Sequence, residues 1–244
     1  MKARFIYRNL KARFRDQRQE IKALLAAIKP GDVVVDIGAN KGSYLYWMSR
    51  AVGAGRVVAF EPQPALVEYL RQAVVACGLK NVVVEGKAVS DKSGTMTLYV
   101  PGNATSPGAT LEGTMQSHGK CREVPVEVVK LDDYFAGTTG RIAALKIDVE
   151  GHELAVFRGA ERIIREHRPV LIFECENRHL APARTVLDVL NYLKGLGYAG
   201  SFICRDALLP IEQFDPAVHQ RQEGERFWDQ PSYCNNFIMQ MAAR

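Results

Sequence analysis

Short apolar runs alternate with longer stretches of helical periodicity from residue 32 to residue 241. The runs at 32–37, 56–60, 81–85, 142–147, 169–174, 200–204 and 236–241 are five or six residues long and rich in Val, Ile, Ala and Phe. Runs of that length and composition predict strands buried on both faces. Between them, residues 42–52, 63–77, 152–166 and 183–196 repeat their apolar positions every three or four residues, which predicts helices. Strands alternating with helices predict a parallel sheet covered on both faces. Ahead of this pattern, 10–28 reads as a basic amphipathic helix ended by Pro30-Gly31.

Two segments break the rhythm. TMTLYV (95–100) and VPVEVV (124–129) predict extra strands, joined by a polar, Gly-rich stretch at 101–123. That stretch is long for a connector, so it is expected to be functional or mobile. The second segment, 205–233, is rich in Gln, Asp and Arg and reads equally as a lid or a solvated loop. No repeat, low-complexity tract or Pro/Gly linker divides the chain. The expected organisation is a basic helical extension over 1–30 and one domain over 31–244, with its insertion at about 95–129.

The chemistry begins at VVVDIGANKGSY (33–44). A strand carrying Asp36 near its end runs into a turn where Gly38 and Gly42 flank Ala39 and Asn40, with Ser43 opening the next helix. Glycines in such a turn let backbone N–H groups approach a polar ligand at a helix N-terminus. A glycine pair alone would mean only a strand–helix turn. The second strand, RVVAF, adds to it by ending in Glu61-Pro62, because an acid at that tip can accept both hydrogen bonds of a ribose diol. Together they predict a nucleoside cofactor. A dinucleotide fingerprint would need glycine at 38, 40 and 43, yet Asn40 and Ser43 occupy two of those places. Asn40 would keep a pyrophosphate off the backbone, which counts against NAD.

AALKIDVEGHELAVFRGAERII (143–164) completes the set. With VDIGANKG (35–42), AFEP (59–62) and AVSDKSG (88–94), it closely resembles the FkbM-type family of S-adenosylmethionine-dependent methyltransferases. The resemblance covers about residues 31–178, plus NNFIM at 235–239 as a final strand. It implies the Rossmann-like class I methyltransferase α/β fold: a seven-stranded, mostly parallel sheet with an antiparallel last strand and helices on both faces. It also implies S-adenosylmethionine as cofactor and an acceptor oxygen on a sugar, glycolipid, polysaccharide or natural product. In that fold the adenine rests beside the third strand, where Ala88, Val89 and Ser90 would flank it. The same residues also make a turn through Asp91-Lys92-Ser93-Gly94.

Period-two alternation would put Lys146, Asp148 and Glu150 on one side of a strand tip, in the crevice where parallel sheets bind ligands. Lys146 could equally be an ion-pair partner, and Glu153 a helix-start charge. The strand RPVLIFECEN (168–177) ends in Glu174, Glu176 and Asn177, with His179 beyond, and Glu174 should lie near Asp148 if the two strands are neighbours. The candidate catalytic residues are therefore Asp148, Glu150, Glu174 and His179. Asp148 also counts with Asp36 among the cofactor contacts. His152, at a helix N-terminus, would stay neutral and could accept a proton. His118 is a weaker candidate, and His167 and His219 read as surface residues.

Two routes could activate an acceptor hydroxyl. Asp148 and Glu174 could hold Mg²⁺, or Asp148 or Glu150 could orient the acceptor while His179 or a carboxylate takes its proton. The metal-free route is preferred because Lys146 can balance the acids, so no metal site is assigned. No DPPY-like motif of amine-directed enzymes is present, which favours oxygen.

Composition changes this picture in one respect. The 244 residues are 47% hydrophobic and 24% charged, as in ordinary globular proteins. The net charge of +5 is local, because residues 1–29 hold nine Lys/Arg against Asp16 and Glu20, which leaves the remainder at −2. A nearly neutral body argues against a nucleic-acid groove built into the fold. Two rival readings remain: an RNA methyltransferase using the basic segment as its arm, and a non-catalytic cofactor-binding assembly protein. The segment could also serve a homodimer contact or an anionic lipid surface. Residues 1–28 lack an uninterrupted apolar core, so no secretory signal is expected there. No apolar run approaches the roughly 20 residues of a membrane span. Five scattered cysteines without a CxxC pair predict neither disulfides nor zinc and suit a reducing cytoplasm.

Overall fold

The computed structural model describes residues 1–102, 104–113 and 121–242. Five parallel strands form its centre: β1 (Val33–Ile37), β2 (Arg56–Phe60), β3 (Val82–Glu85), β7 (Ile142–Ile147) and β8 (Val170–Glu174). β4 (Ala88–Val89) follows β3, and the insertion supplies β5 (Gly94–Pro101) and β6 (Cys121–Val129). The C-terminal part adds β9 (Tyr198–Cys204), β10 (Ala207–Pro210) and β11 (Asn236–Met241). The main sheet has eight strands in the order β10-β9-β11-β8-β7-β1-β2-β3, with β11 antiparallel to both of its neighbours.

The eighth strand, β10, was not expected. It comes from the segment that read as a lid or loop, and it pairs with β9 through a two-residue turn at Arg205-Asp206, with φ of 49° and 66°. Positive φ at both central positions is the geometry a tight hairpin needs. After β10 the chain stays close to the body. Phe214 is buried, and the Gln220 side chain donates to the carbonyls of Cys175 and Cys234 at 2.7 and 3.1 Å.

Alternation along each strand sorts the core into two layers. Val33, Val35 and Ile37 face one side, packing with Leu131 of α5 (Leu131–Tyr134), Phe157 of α6 (Glu153–Gly159), Ile163 of α7 (Glu161–His167) and Val189 of α8 (Val186–Gly195). Val34 faces the other side, packing with Leu45 and Met48 of α3 (Leu45–Val52) and Leu70 of α4 (Pro64–Cys77). The expected helix at 152–166 is broken at Ala160. There Gly159 meets the carbonyl of Ser90 so closely that a Cβ would lie 2.0 Å from it. Strands β4, β5 and β6 form a separate three-stranded sheet with a small core of its own around Leu98, Val100 and Val128.

The N-terminal segment differs from the expected single helix at 10–28. It forms α1 (Lys2–Lys11), a π-helical turn at Ala12–Asp16, and α2 (Arg18–Ala27). Phe5, Ile21 and Leu24 are fully buried in the same layer as Met48 and Leu70. Asn9, also fully buried, donates to the Gly42 carbonyl at 2.9 Å and accepts from the Tyr46 N–H at 3.1 Å. Three buried apolar side chains of this size stabilise a fold by about 1.5–3 kcal/mol each. The segment is therefore part of the helical layer and not an appendage to it. No helix among the described residues is long and apolar enough to cross a membrane.

Candidate active site

The C-terminal ends of β1, β2, β7 and β8 converge on a cavity of about 250 Å³. Gly38 and Asn40 border it from the first turn, Glu61, Pro62 and Gln63 from the second strand tip, and Asp148, Val149 and Glu150 from β7. Glu174 closes the far end, Ala88, Val89 and Leu98 form an apolar wall, and Pro107, Ala109, Thr110 and Leu111 of the insertion cover it. A crevice at these strand ends is where open parallel sheets bind ligands.

The glycine turn works differently from the sequence expectation. Its N–H groups point inward: those of Gly38 and Ala39 both donate to the Phe60 carbonyl at 3.0 Å. The Asn40 N–H, at a residue with φ of 48°, donates to Glu61 Oε2 at 2.8 Å. The glycines make room for protein, not ligand. A Cβ on Gly38 would lie 1.8 Å from the Asp148 carbonyl oxygen, and one on Gly42 would lie 2.9 Å from both Phe5 and Leu70.

Glu61 is buried, and its second oxygen accepts the Gln63 N–H at 2.9 Å. Burial pushes its pKa up to about 7, against the pull of the two N–H bonds. Each carboxylate oxygen still has a lone pair to offer. Asp36 lies beneath the turn, completely buried, with neither oxygen hydrogen-bonded. The Lys146 ammonium stands 3.7 Å from it and 3.2 Å from Asp148 Oδ2, above the Tyr44 ring. Burial raises the Asp36 pKa; it works against the charge on Lys146, which Asp148 and Asp36 nevertheless hold protonated. Lys146 is thus the ion-pair partner of two acids.

Beyond Asp148 the alternation stops. β7 ends at Ile147, and Glu150 (φ 52°) and Gly151 (φ 98°) turn the chain. Lys146 and Asp148 therefore share a side, while Glu150 turns towards His179, whose Nδ1 lies 2.6 Å from Glu150 Oε2. Burial opposes a proton on His179, but Glu150 outweighs it and raises the pKa. Gly151 permits this approach, because a Cβ there would lie 2.2 Å from the His179 carbonyl. Glu150 borders the cavity; His179 stands behind it.

Glu174 lies on the strand next to β7, as expected from its sequence position. Burial, followed by the charges of Asp148 and Glu150, lifts its pKa well above the carboxylate range, and Asn235 donates to it at 2.7 Å. Glu176 is the opposite case. Burial alone would raise its pKa, but bonds from Arg178, Asn235 and Tyr233 bring it down to about 2.

Several expected contacts lie elsewhere. The Ser90 hydroxyl is fully buried away from the cavity, 2.9 Å from His152 Nε2, so Ala88 and Val89 form that wall without it. His152 uses its other nitrogen on Glu112 at 2.7 Å, so neither ring nitrogen faces an acceptor. Ala39 and Ser43 border an adjoining cleft, and Gly42 packs under Phe5. His167 Nδ1 accepts the Ile142 N–H, and the His219 ring stacks on Phe214. His118 lies outside the described residues. Sequence reasoning missed Gln63 and the cover at 107–111. Gln63 exchanges two hydrogen bonds with the Ser106 backbone, and Thr110 Oγ1 donates to the Glu150 carbonyl at 2.6 Å. The only signal for the cover was the length of the Gly-rich stretch. Among the described residues, no group of three or more His, Cys, Asp or Glu is placed to hold a metal ion.

Comparison with known proteins finds relatives of the chain among methyltransferases. Methyltransferase 1 of Beauveria bassiana is 28% identical over 176 residues, covering 64% of this chain and 70% of that protein. The 31-O-demethyl-FK506 methyltransferase FkbM of Streptomyces tacrolimicus is 30% identical over 167 residues, 55% of this chain and 61% of that one. A solved methyltransferase FkbM from Methylobacillus flagellatus shares the fold, with a TM-score of 0.52 at 17% identity. It matches 96% of this chain, which spans about half (53%) of that longer one. The methyltransferase FkbM domain itself matches residues 36–199, from the acid beneath the glycine turn to the start of β9, and the chain belongs to that family.

Proposed function

We propose that the protein is an S-adenosylmethionine-dependent O-methyltransferase acting on a hydroxyl of a sugar, glycolipid, polysaccharide or natural product. The observation that carries this reading is the single cavity bordered by Glu61 at one end and by Asp148, Glu150 and Glu174 at the other. The residues fit the cofactor. Glu61 keeps lone pairs for a ribose diol, Ala88, Val89 and Leu98 offer an apolar wall for a base, and acids lie where a sulfonium charge would come. When bound, the cofactor supplies an electrophilic methyl group.

The chain's own residues do the rest. Asp148, fixed by Lys146, orients the acceptor hydroxyl, and Glu150, which borders the cavity, takes its proton. His179 is a positioning residue that holds the Glu150 carboxylate from behind. A base of this kind contributes roughly 10²–10⁴-fold. Glu150 is held at positive φ, a strain that proteins tend to keep at functional positions. The Streptomyces relative is named for a 31-O-demethyl substrate, which supports oxygen as the acceptor atom. We include residues 1–30 in the catalytic unit with 31–244, and the five free thiols suit a reducing cytoplasm. The test is release of S-adenosylhomocysteine with matched pairs of hydroxylated acceptors and their O-methylated forms. Turnover is expected only with the free hydroxyl. Turnover on amines alone would overturn the oxygen assignment.

A further inference from the structure

The outer face of the N-terminal segment carries a pattern that the core does not use. Phe5, Asn9 and Ala12 turn into the body and are buried. On the opposite side of the same turns, Tyr7 and Phe14 are each 65% exposed and Leu10 is 40% exposed. Residues at i, i+3 and i+7 form one stripe along a helix, here about 10 Å long. The same spacing places Arg4 and Lys11 beside the stripe. At its end Arg13, Phe14, Arg18, Gln19 and Lys22 line a surface cleft of about 220 Å³. The Arg13 guanidinium spreads over the Phe14 ring at 5.6 Å and the Trp47 ring at 4.8 Å.

Charge separates the possible partners. Residues 1–29 carry +7, while the rest of the chain sums to −2. The segment's two acids do little to offset this at the surface, because Glu20 is buried and Asp16 is held between Lys11 and Arg15. A second copy of the chain docking here about a two-fold axis would set this cationic face against itself. A nucleic acid would neutralise the cations but offers no apolar phase for Leu10, and the nearly neutral body does not extend the cationic track. An anionic bilayer meets both demands. Its headgroups take the cations, and its interface takes the aromatic and aliphatic side chains.

We propose that the face carrying Tyr7, Leu10, Arg13, Phe14 and Lys22 docks the protein on an anionic lipid surface. The proposal goes beyond methyl transfer and does not depend on it. Arg8 and Gln17 of the same segment border the cleft that adjoins the cavity and shares Gly38 and Asp148 with it, so the docking face and the active site are built on one stretch of chain. Flotation of the full chain with phosphatidylcholine vesicles, with and without phosphatidylglycerol, tests it. Binding is expected only with the anionic lipid and should weaken as salt is raised. Each cation lost near such a surface weakens binding about fivefold, so Arg13→Gln combined with Lys22→Gln should weaken it about 25-fold. Tyr7→Ser combined with Leu10→Ser should weaken it about tenfold at unchanged charge. Tyr7 and Leu10 are exposed, so an unchanged melting temperature in that variant separates a docking defect from a folding defect. Equal binding to both vesicle types, binding to neither, or wild-type binding by the Tyr7 and Leu10 variant would overturn the proposal. Tighter binding to a single-stranded RNA oligomer than to the anionic vesicles would overturn it in favour of a nucleic-acid surface. A dimer in sedimentation equilibrium that Leu10→Ser dissociates would overturn it in favour of a contact between copies.

Discussion

The α-carbon of Gly38 faces the carbonyl oxygen of Asp148 so closely that an ideal Cβ would lie 1.8 Å from it. In the same contact the Asp148 N–H donates to the Ile37 carbonyl at 3.0 Å. The tips of β1 and β7 are therefore held together at the junction of the two cavities. Gly38→Ala should incur about 1–2 kcal/mol for its positive φ, with a backbone clash on top. The expected result is a lower urea midpoint together with weakened binding of S-adenosylhomocysteine. Unchanged stability and binding would mean that the two tips can separate without loss.

A second prediction concerns Phe5, which sits in the space that Gly42 leaves open beside Leu70. Removing a buried phenylalanine ring typically costs about 3–5 kcal/mol. Phe5→Ala should lower the melting temperature accordingly, and deletion of residues 1–28 should abolish cooperative unfolding. The segment's buried side chains, not its charge, set this outcome. A deletion variant that still melts cooperatively at the wild-type temperature would show that the segment is separable.

The central strands were legible because burial on both faces writes a continuous apolar run into β1, β2 and β7. The charges on residues 1–29 hid a different pattern, since Phe5, Asn9, Ala12, Glu20, Ile21, Leu24 and Ile28 are the buried positions and Asn9 and Glu20 among them are polar. The β9–β10 hairpin was hidden for a local reason. Its turn is Arg205-Asp206, without the Gly or Asn that usually marks positive φ. At the site, Glu61, Asp148 and Glu174 could be placed from strand ends alone. Ser90 could not, because its partner His152 is sixty-two positions away and only the fold brings them together. Glu150 left the expected side of β7 because the chain turns there to meet His179.

A third prediction follows from Glu153, which is buried with Oε1 accepting the Gly151 N–H and Oε2 unpartnered. Burial lifts its pKa from 4.5 to about 7, and Glu61 and Glu20 are lifted to about 7 as well. Between 4.5 and 7 the native state keeps protons that the unfolded chain releases. The stability from these groups is complete below the unfolded value and lost as pH rises through the folded one. Glu176, brought down to about 2, acts oppositely and only at lower pH. The melting temperature should therefore fall between about pH 5 and pH 8. Glu153→Gln should flatten that slope. An unchanged slope would assign it to other groups.

The last prediction concerns proton removal from the acceptor. Asp148 and Glu150 both border the cavity, but they are held differently: Asp148 by Lys146 at 3.2 Å and Glu150 by His179 at 2.6 Å. Lys146 offsets the charge of Asp148, while burial pushes Asp36 towards its neutral form, so Asp148 has a counter-charge without a bound cation. Methyl transfer should persist in EDTA. Glu150→Gln keeps the shape of the side chain but cannot take a proton, so kcat should fall by up to about 10²–10⁴-fold with little change in cofactor affinity. Asp148→Asn should lower kcat and raise the acceptor KM, because it weakens orientation more than proton transfer. His179→Gln removes a neighbour that favours the charged form of Glu150, so the acidic limb of the pH–rate profile should move to higher pH. A kcat unchanged in both carboxamide variants would remove the β7 tip from the chemistry. Activity lost in EDTA and regained with Mg²⁺ would show instead that Asp148 and Glu174 act through a bound cation.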